Sequence, residues 1–195
     1  MDKWEEVVAI RRCQAGDKEA FGMLAEQYER MLFRTAYLMT RDTGLAADAV
    51  QEALVAMWKH LPSLRNENGL KAWLFRILVN EVKQQSRKKQ VPTVPIERAF
   101  DLADGADGVD LEMERGEIRE TVRKALRMLP HQQGEAVVLR YFGGLTIAEI
   151  ALAMGCREGT IKSRLSRALG RLEDILRDNK VIDAREEKID ERRKA

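Results

Sequence analysis

The chain has 195 residues, a formal net charge of +2, and 34% charged against 45% hydrophobic residues. This length suits one ordinary domain or two small ones, and no apolar run approaches the roughly 18 to 20 residues that span a bilayer. Because Asp2, Glu5 and Glu6 lie at the start of the chain, the cationic start and apolar run of a secretory signal are absent. We therefore expect a cytoplasmic protein without direct membrane insertion.

The cysteines and histidines provide no chemical site. Cys13 and Cys156 lie far apart, with no second Cys or His at the spacing of metal ligands, so we expect both to be small apolar packing residues. His60 and His131 lack a nucleophile or carboxylate at useful spacing, and no glycine-rich phosphate loop occurs. We expect no catalytic residue, no metal, no cofactor and no small-molecule substrate.

In the first half of the chain, Asp17 predicts the N-cap of a helix that runs to Met39. A second helix is predicted over Leu45–His60. Beside its apolar side it carries an acidic-polar patch, which is either a solvated face or a partner-binding surface. This patch consists of Asp48, Gln51 and Glu52.

Pro62 ends the second helix, and the polar segment Ser63–Gly69 predicts a loop. A third helix, Leu70–Lys88, has an apolar stripe, on which we expect Trp73 to lie in the core, with a base-stacking surface as the alternative. A separate basic-polar stripe can engage phosphates and bases, with a solubilising face as the alternative. Its members are Arg76, Asn80, Lys83 and Arg87.

Residues 91–115 carry a net charge of −5, between residues 1–90 at +3 and residues 116–177 at +4. Prolines, glycines and aspartates without an apolar period are typical of a linker. Two basic blocks around an acidic one indicate two modules that meet a polyanion, although charge also fluctuates by chance.

Helical periodicity resumes at Glu114 and continues to Pro130, and a further helix is predicted over Gln132–Phe142, ended by two glycines. This second helix is expected to bury Ala136, Val137, Leu139 and either Val138 or Tyr141.

The next segment has the signals of a helix-turn-helix. Thr146 and Glu149 predict a capping box, and a small residue, a turn glycine and an anchoring isoleucine follow at Ala151, Gly155 and Ile161. A structural helical hairpin is the alternative, but it does not require a basic face. The second helix offers groups suited to phosphates and base edges, namely Arg157, Thr160, Lys162, Ser163, Arg164 and Arg167.

These patterns predict an all-α protein with two small helical domains at residues 3–89 and 116–177. A flexible acidic linker at 90–115 joins them, and a charged tail at 178–195 follows. The tail is predicted either as a solvated, disordered segment or as an exposed helix with i,i+4 ion pairs.

Over about residues 4–177 the chain resembles a bacterial sigma factor of the extracytoplasmic-function (ECF) group. The resemblance rests on the segments AADAVQEALVAMW, KAWLFRILVNEVKQQSRKK and LTIAEIALAMGCREGTIKSRLSRAL. It implies two helical domains, called region 2 and region 4, that direct core RNA polymerase to promoters and help to open the DNA. It also implies control by an anti-sigma factor.

The resemblance further implies roles for single residues. Asp48, Gln51 and Glu52 would contact the β′ clamp helices of polymerase, whose β subunit is a further partner. The minus-10 element would meet a base-capturing loop and the helix after it, through Asn66, Asn68, Arg76, Asn80, Lys83 and Arg87. The minus-35 element would meet Arg157, Thr160, Lys162, Ser163, Arg164 and Arg167.

A second hypothesis is a stand-alone helix-turn-helix regulator with an N-terminal helical ligand-binding or dimerisation domain. Such a regulator binds duplex DNA tightly without polymerase. Mutating Asp48 or Glu52 would then remove no polymerase binding.

Overall fold

A computed structural model describes residues 3–88 and 120–178. The described residues form helices and turns without strands, which confirms the predicted all-α class. The predicted linker, residues 90–115, and the tail beyond Asp178 lie outside the described residues. The helices are α1 (Lys3–Gln14), α2 (Lys18–Thr40), α3 (Thr43–His60), α4 (Leu70–Lys88), α5 (120–128), α6 (His131–Tyr141), α7 (Ile147–Met154) and α8 (Glu158–Asp178).

The described residues divide into two compact units. The first unit comprises residues 3–88 together with 138–158, and the second comprises 120–137 together with 159–178. The division assigns the end of α6 and all of α7 to the first unit, whereas the sequence places them in the second module. The domain boundaries drawn from the sequence stay a prediction.

Helices α2, α3 and α4 form the core of the first unit. Asp17 caps α2, since its carboxylate accepts from the backbone N–H groups of Glu19 (2.9 Å) and Ala20 (3.1 Å), as predicted. The Ala20 N–H, followed by the Arg12 side chain, holds the pKa of Asp17 below its usual value. The side chains of the core are fully buried and include Leu24, Leu32, Ala49, Ala53, Met57, Leu74, Phe75 and Leu78.

Helix α1 has no counterpart in the predicted helices. It is short and rich in charge, but Ala9, Ile10 and Cys13 are buried on one side. The three-residue step from Ile10 to Cys13 is the signal that could have revealed it. Burial raises the pKa of the Cys13 thiol, which agrees with a packing role. The hydroxyl of Tyr28 donates to Glu6 at 2.8 Å and joins α1 to α2.

Within the first unit, α7 packs against α4. The turn before α7 contributes, since the Lys71 ammonium donates to the Gly144 carbonyl at 3.0 Å. A Cβ at Gly143 would lie 2.8 Å from the Leu139 carbonyl oxygen and 3.0 Å from a ring carbon of Phe75. Only glycine therefore fits this turn without a shift of the surrounding atoms.

The sequence left open whether α6 buries Val138 or Tyr141. Val138 is buried, whereas Tyr141 is 59% exposed. The helix begins and ends one residue before the predicted bounds, at His131–Tyr141. In the second unit, α8 buries Ile161, the residue predicted to anchor it, together with Leu165 and Ala168.

Candidate functional site

The acidic-polar patch lies on the outer side of α3. Asp48, Gln51 and Glu52 are exposed, because the helical repeat turns the opposite side of the helix inward. The buried residues of that side are Ala46, Ala49, Val50, Ala53 and Met57. The patch therefore has the exposure that a partner-binding surface requires, although exposure alone also fits a solvated face.

An apolar groove of about 1060 Å³ lies between α2 and α3, beside the patch, and Gln51 lines both. Trp58 is 42% exposed there and meets Phe21 edge to face, with ring centroids 4.9 Å apart. Exposed aromatic surface next to charged groups is typical of protein interfaces. The sequence did not predict the groove, because its walls come from two helices.

The segment between α3 and α4 contains two single turns of 3-10 helix, Leu61–Ser63 and Glu67–Gly69. Leu61 is buried, whereas Asn66 and Asn68 are exposed. We call residues 61–69 the asparagine loop. It presents the two amide side chains to solvent directly before α4.

The basic-polar stripe of α4 continues from the asparagine loop. Arg76 and Asn80 are exposed, and Lys83 is half-buried. Arg87 is in the last turn, but its side chain lies outside the described residues. Trp73, expected in the core with a base-stacking surface as the alternative, is half-buried. Its position three residues before Arg76 and seven before Asn80 turns it toward the polar stripe.

The signals of the helix-turn-helix are confirmed by the local geometry. The backbone N–H of Thr146 donates to Glu149 at 2.8 Å, and the Glu149 N–H donates to the Thr146 hydroxyl at 3.3 Å, which completes the capping box. Gly155 has a φ of 67° and ends α7. This left-handed conformation favours glycine. Helix α8 then begins at Glu158, so that Arg157 precedes its first turn.

Helix α8 and the residue before it present polar side chains on more than one side. The exposed side chains are those of Arg157, Thr160, Lys162 and Arg167, and Ser163 is half-buried. Arg164 is half-buried and donates to the side-chain oxygen of Gln132, while Arg171 donates to Gln133 at 3.2 Å. Arg164 therefore links α8 to α6 within the second unit. Ser166, which the sequence did not single out, is exposed three residues after Ser163, opposite the buried residues of the helix.

The described residues contain no group of three side chains that could hold a metal ion. Within the same ranges, no helix is long and apolar enough to cross a membrane.

Both halves of the chain match known protein families. The family described as Sigma-70 region 2 matches residues 24–91, and the family described as Sigma-70, region 4 matches residues 119–172. The ECF RNA polymerase sigma factor SigM of Mycobacterium tuberculosis is 36% identical over 163 residues, which cover 83% of this chain and 80% of SigM. This chain is an ECF sigma factor.

The ECF RNA polymerase sigma-E factor of Escherichia coli agrees, at 32% identity over 89% of this chain and 93% of its own length. Among solved structures, the sigma factor RpoE from Bartonella quintana, in complex with the anti-sigma factor NepR, has a TM-score of 0.59 at 32% identity. The similarity covers 78% of this chain and 95% of that one. These relatives are sigma factors, which favours the first hypothesis over a stand-alone regulator.

Each candidate residue lies within one of the two matched regions. The α3 patch, the asparagine loop and the α4 stripe all lie within region 2, and the candidate residues of α8 lie within region 4. Helix α1 lies outside both matched ranges.

Proposed function

We propose that this ECF sigma factor binds core RNA polymerase through the α3 patch and directs it to promoters through two DNA-reading surfaces. It would act in the cytoplasm, where polymerase and DNA are found. The reaction chemistry belongs to polymerase, so we infer no catalytic activity of the chain itself.

The combination in one chain of an exposed acidic patch and a helix-turn-helix carries this proposal. A regulator that acts alone needs a helix-turn-helix but no acidic patch. Asp48, Gln51 and Glu52 are exposed together on one side of α3, where they suit the β′ clamp helices. Charge complementarity at such a surface raises the association rate and selects the partner.

Region 2 would recognise and open the minus-10 element. Unstacking a base costs about a few kcal/mol, and a pocket that captures the flipped base offsets part of this cost. Asn66 and Asn68 supply donors and acceptors for a base edge, while Arg76 and Lys83 supply positive charge for the adjacent phosphates. Asn80 lies between these cations on the same side of α4. Arg87 would extend the stripe by one turn.

Region 4 would read the minus-35 element with α8 in the major groove and contact the β subunit of polymerase. This contact requires exposed side chains, as are those of Arg157, Thr160, Lys162 and Arg167. Ser163 lies on the same outward side as Arg167. The Arg164 hydrogen bond to Gln132 supports a positioning role for this arginine beside any contact with phosphate.

An anti-sigma factor is the further partner that we propose. The related sigma factor from Bartonella quintana was solved in complex with the anti-sigma factor NepR. Basic surfaces on α4 and α8 would bind nucleic acid nonspecifically if they were left uncovered, which gives an inhibitory partner a purpose.

Run-off transcription with purified core polymerase tests the proposal. Promoter-specific transcript should appear only when the protein is added. The double variant Asp48→Ala/Glu52→Ala should weaken polymerase binding by about tenfold or more, as for other truncated charge pairs, and should reduce the transcript to match. Asp174→Ala, which removes an exposed carboxylate from α8, is the control. No transcript above that of core polymerase alone would refute the proposal.

A further inference from the structure

Helix α1 is attached to the asparagine loop by two side chains. The amide nitrogen of Gln14 donates to the carbonyl oxygens of Leu61 (3.3 Å) and Leu64 (2.9 Å). The Arg11 guanidinium forms a two-pronged ion pair with Glu67, through Nε to Oε1 at 2.8 Å and Nη2 to Oε2 at 3.2 Å. Gln14 therefore holds the first 3-10 turn and Arg11 holds the second.

The loop has little internal structure to define its shape. Each 3-10 turn is three residues long. The backbone N–H of Leu64 donates to the Leu61 carbonyl in the first turn, and those of Gly69 and Leu70 donate to the carbonyls of Asn66 and Glu67 in the second. Single 3-10 turns have poor hydrogen-bond geometry and little stability of their own. The contacts from α1 cross 47 to 56 residues of sequence, and they fix both ends of the exposed stretch that carries Asn66.

We propose that α1 positions the asparagine loop for base capture, with Gln14 and Arg11 as positioning residues. The inference rests on the function proposed for this loop. A loop already held in its binding shape loses less conformational freedom when a base enters, so capture is tighter. Neither residue needs to touch DNA. Helix α1 precedes the region 2 match, which begins at residue 24.

Three single variants test the inference in the polymerase holoenzyme. Gln14→Ala removes both amide hydrogen bonds, and Arg11→Ala removes the ion pair. Arg12→Ala is the matched control, because Arg12 lies on the same helix and pairs with Asp17 at 2.7 Å rather than with the loop. Opening of a mapped promoter is measured by the permanganate reactivity of unpaired thymines. Preference for the captured base is measured by competition between matched and substituted minus-10 oligonucleotides.

Gln14→Ala should lower promoter opening and the base preference by about tenfold, on the scale of two hydrogen bonds. Arg11→Ala should lower them by about two- to fivefold, because the Arg11 side chain is 67% exposed and exposed ion pairs contribute little. Arg12→Ala should leave both near the wild-type values. Polymerase affinity and binding of a minus-35 duplex should not change in any variant. The exchanged pair Arg11→Glu/Glu67→Arg should recover part of the loss, because it restores the ion pair with its ends reversed.

Three results separate the possible failures. Wild-type opening and base preference in Gln14→Ala and Arg11→Ala would overturn the inference and leave the proposed function intact. A parallel fall in the melting temperature, polymerase affinity and opening would also overturn it, because α1 would then only stabilise the fold. Failure of the wild-type protein to direct polymerase would instead refute the proposed function.

Discussion

The two segments that we assign to DNA recognition are built in different ways. The helix-turn-helix obtains its shape from its own residues, through the capping box of Thr146 and Glu149 that begins α7 and the left-handed Gly155 that ends it. The asparagine loop obtains its shape from elsewhere in the chain, through a buried leucine at its start and the hydrogen bonds from Gln14 and Arg11 on α1.

This difference matches the two tasks. A recognition helix enters a preformed major groove, and a rigid local turn suits that docking. A loop that captures a flipped base must accept a group that is absent from closed DNA. Because a separate helix holds the asparagine loop, the loop can keep a defined shape with few contacts among its own residues.

Loss of the buried leucine should have the largest effect. Leu61 is 1% exposed, so Leu61→Ala should lower the free energy of unfolding by about 2 to 5 kcal/mol, as for other buried leucines. Urea unfolding measures this change. Met23→Ala removes a side chain that is 49% exposed on α2 and should change stability by less than about 1 kcal/mol. Equal losses in the two variants would show that Leu61 does not anchor the loop.

The arginines of α8 provide the next largest test. Arg167→Ala should weaken binding to the minus-35 element by about 1 to 3 kcal/mol if the side chain reads a base edge, with the preference at that base relaxed. Arg164→Ala should lower the stability of the second unit as well, because it removes the hydrogen bond to Gln132. Promoter competition and thermal unfolding measure the two effects. Identical behaviour of both variants would contradict separate roles for the two side chains.

Replacing single glycines with alanine tests the turn between α7 and α8. Gly155 has a positive φ and open space around it, so Gly155→Ala should cost about 1 to 2 kcal/mol of stability from backbone strain alone. Gly170 lies within α8, also with open space. Gly170→Ala should therefore stabilise by about 1 kcal/mol. Thermal unfolding of both variants should show opposite signs, and a shared sign would mean that the φ of Gly155 does not determine the turn.

The smallest effect concerns pH. The Arg11 side chain holds the pKa of Glu67 below its usual value. A carboxylate with a lowered pKa stabilises the loop fully above the ordinary Glu pKa of about 4.3, and this contribution is lost as the pH falls through the pKa in the folded protein. In Arg11→Ala, an NMR titration should show the pKa of Glu67 closer to the ordinary value. The pKa of Asp17 should not move, because Arg11 is not among the groups that lower it.

Helices with strong local signals could be predicted from the sequence alone. Asp17, Thr146, Glu149 and Gly155 act on backbone groups within a few residues, so their effect follows from spacing alone. The apolar repeat of α3 likewise identified alanines and Met57 that are buried. The patch on α3, the stripe of α4 and the basic residues of α8 were found from their spacing along these helices.

Other features depend on how the helices pack together. The apolar groove needs walls from two helices, and the half-burial of Trp73 depends on how α4 packs against its neighbours. The partners of Gln14 and Arg164 lie more than 30 residues away in sequence. No local pattern encodes such contacts, because they depend on which helix surfaces the shared hydrophobic core brings together.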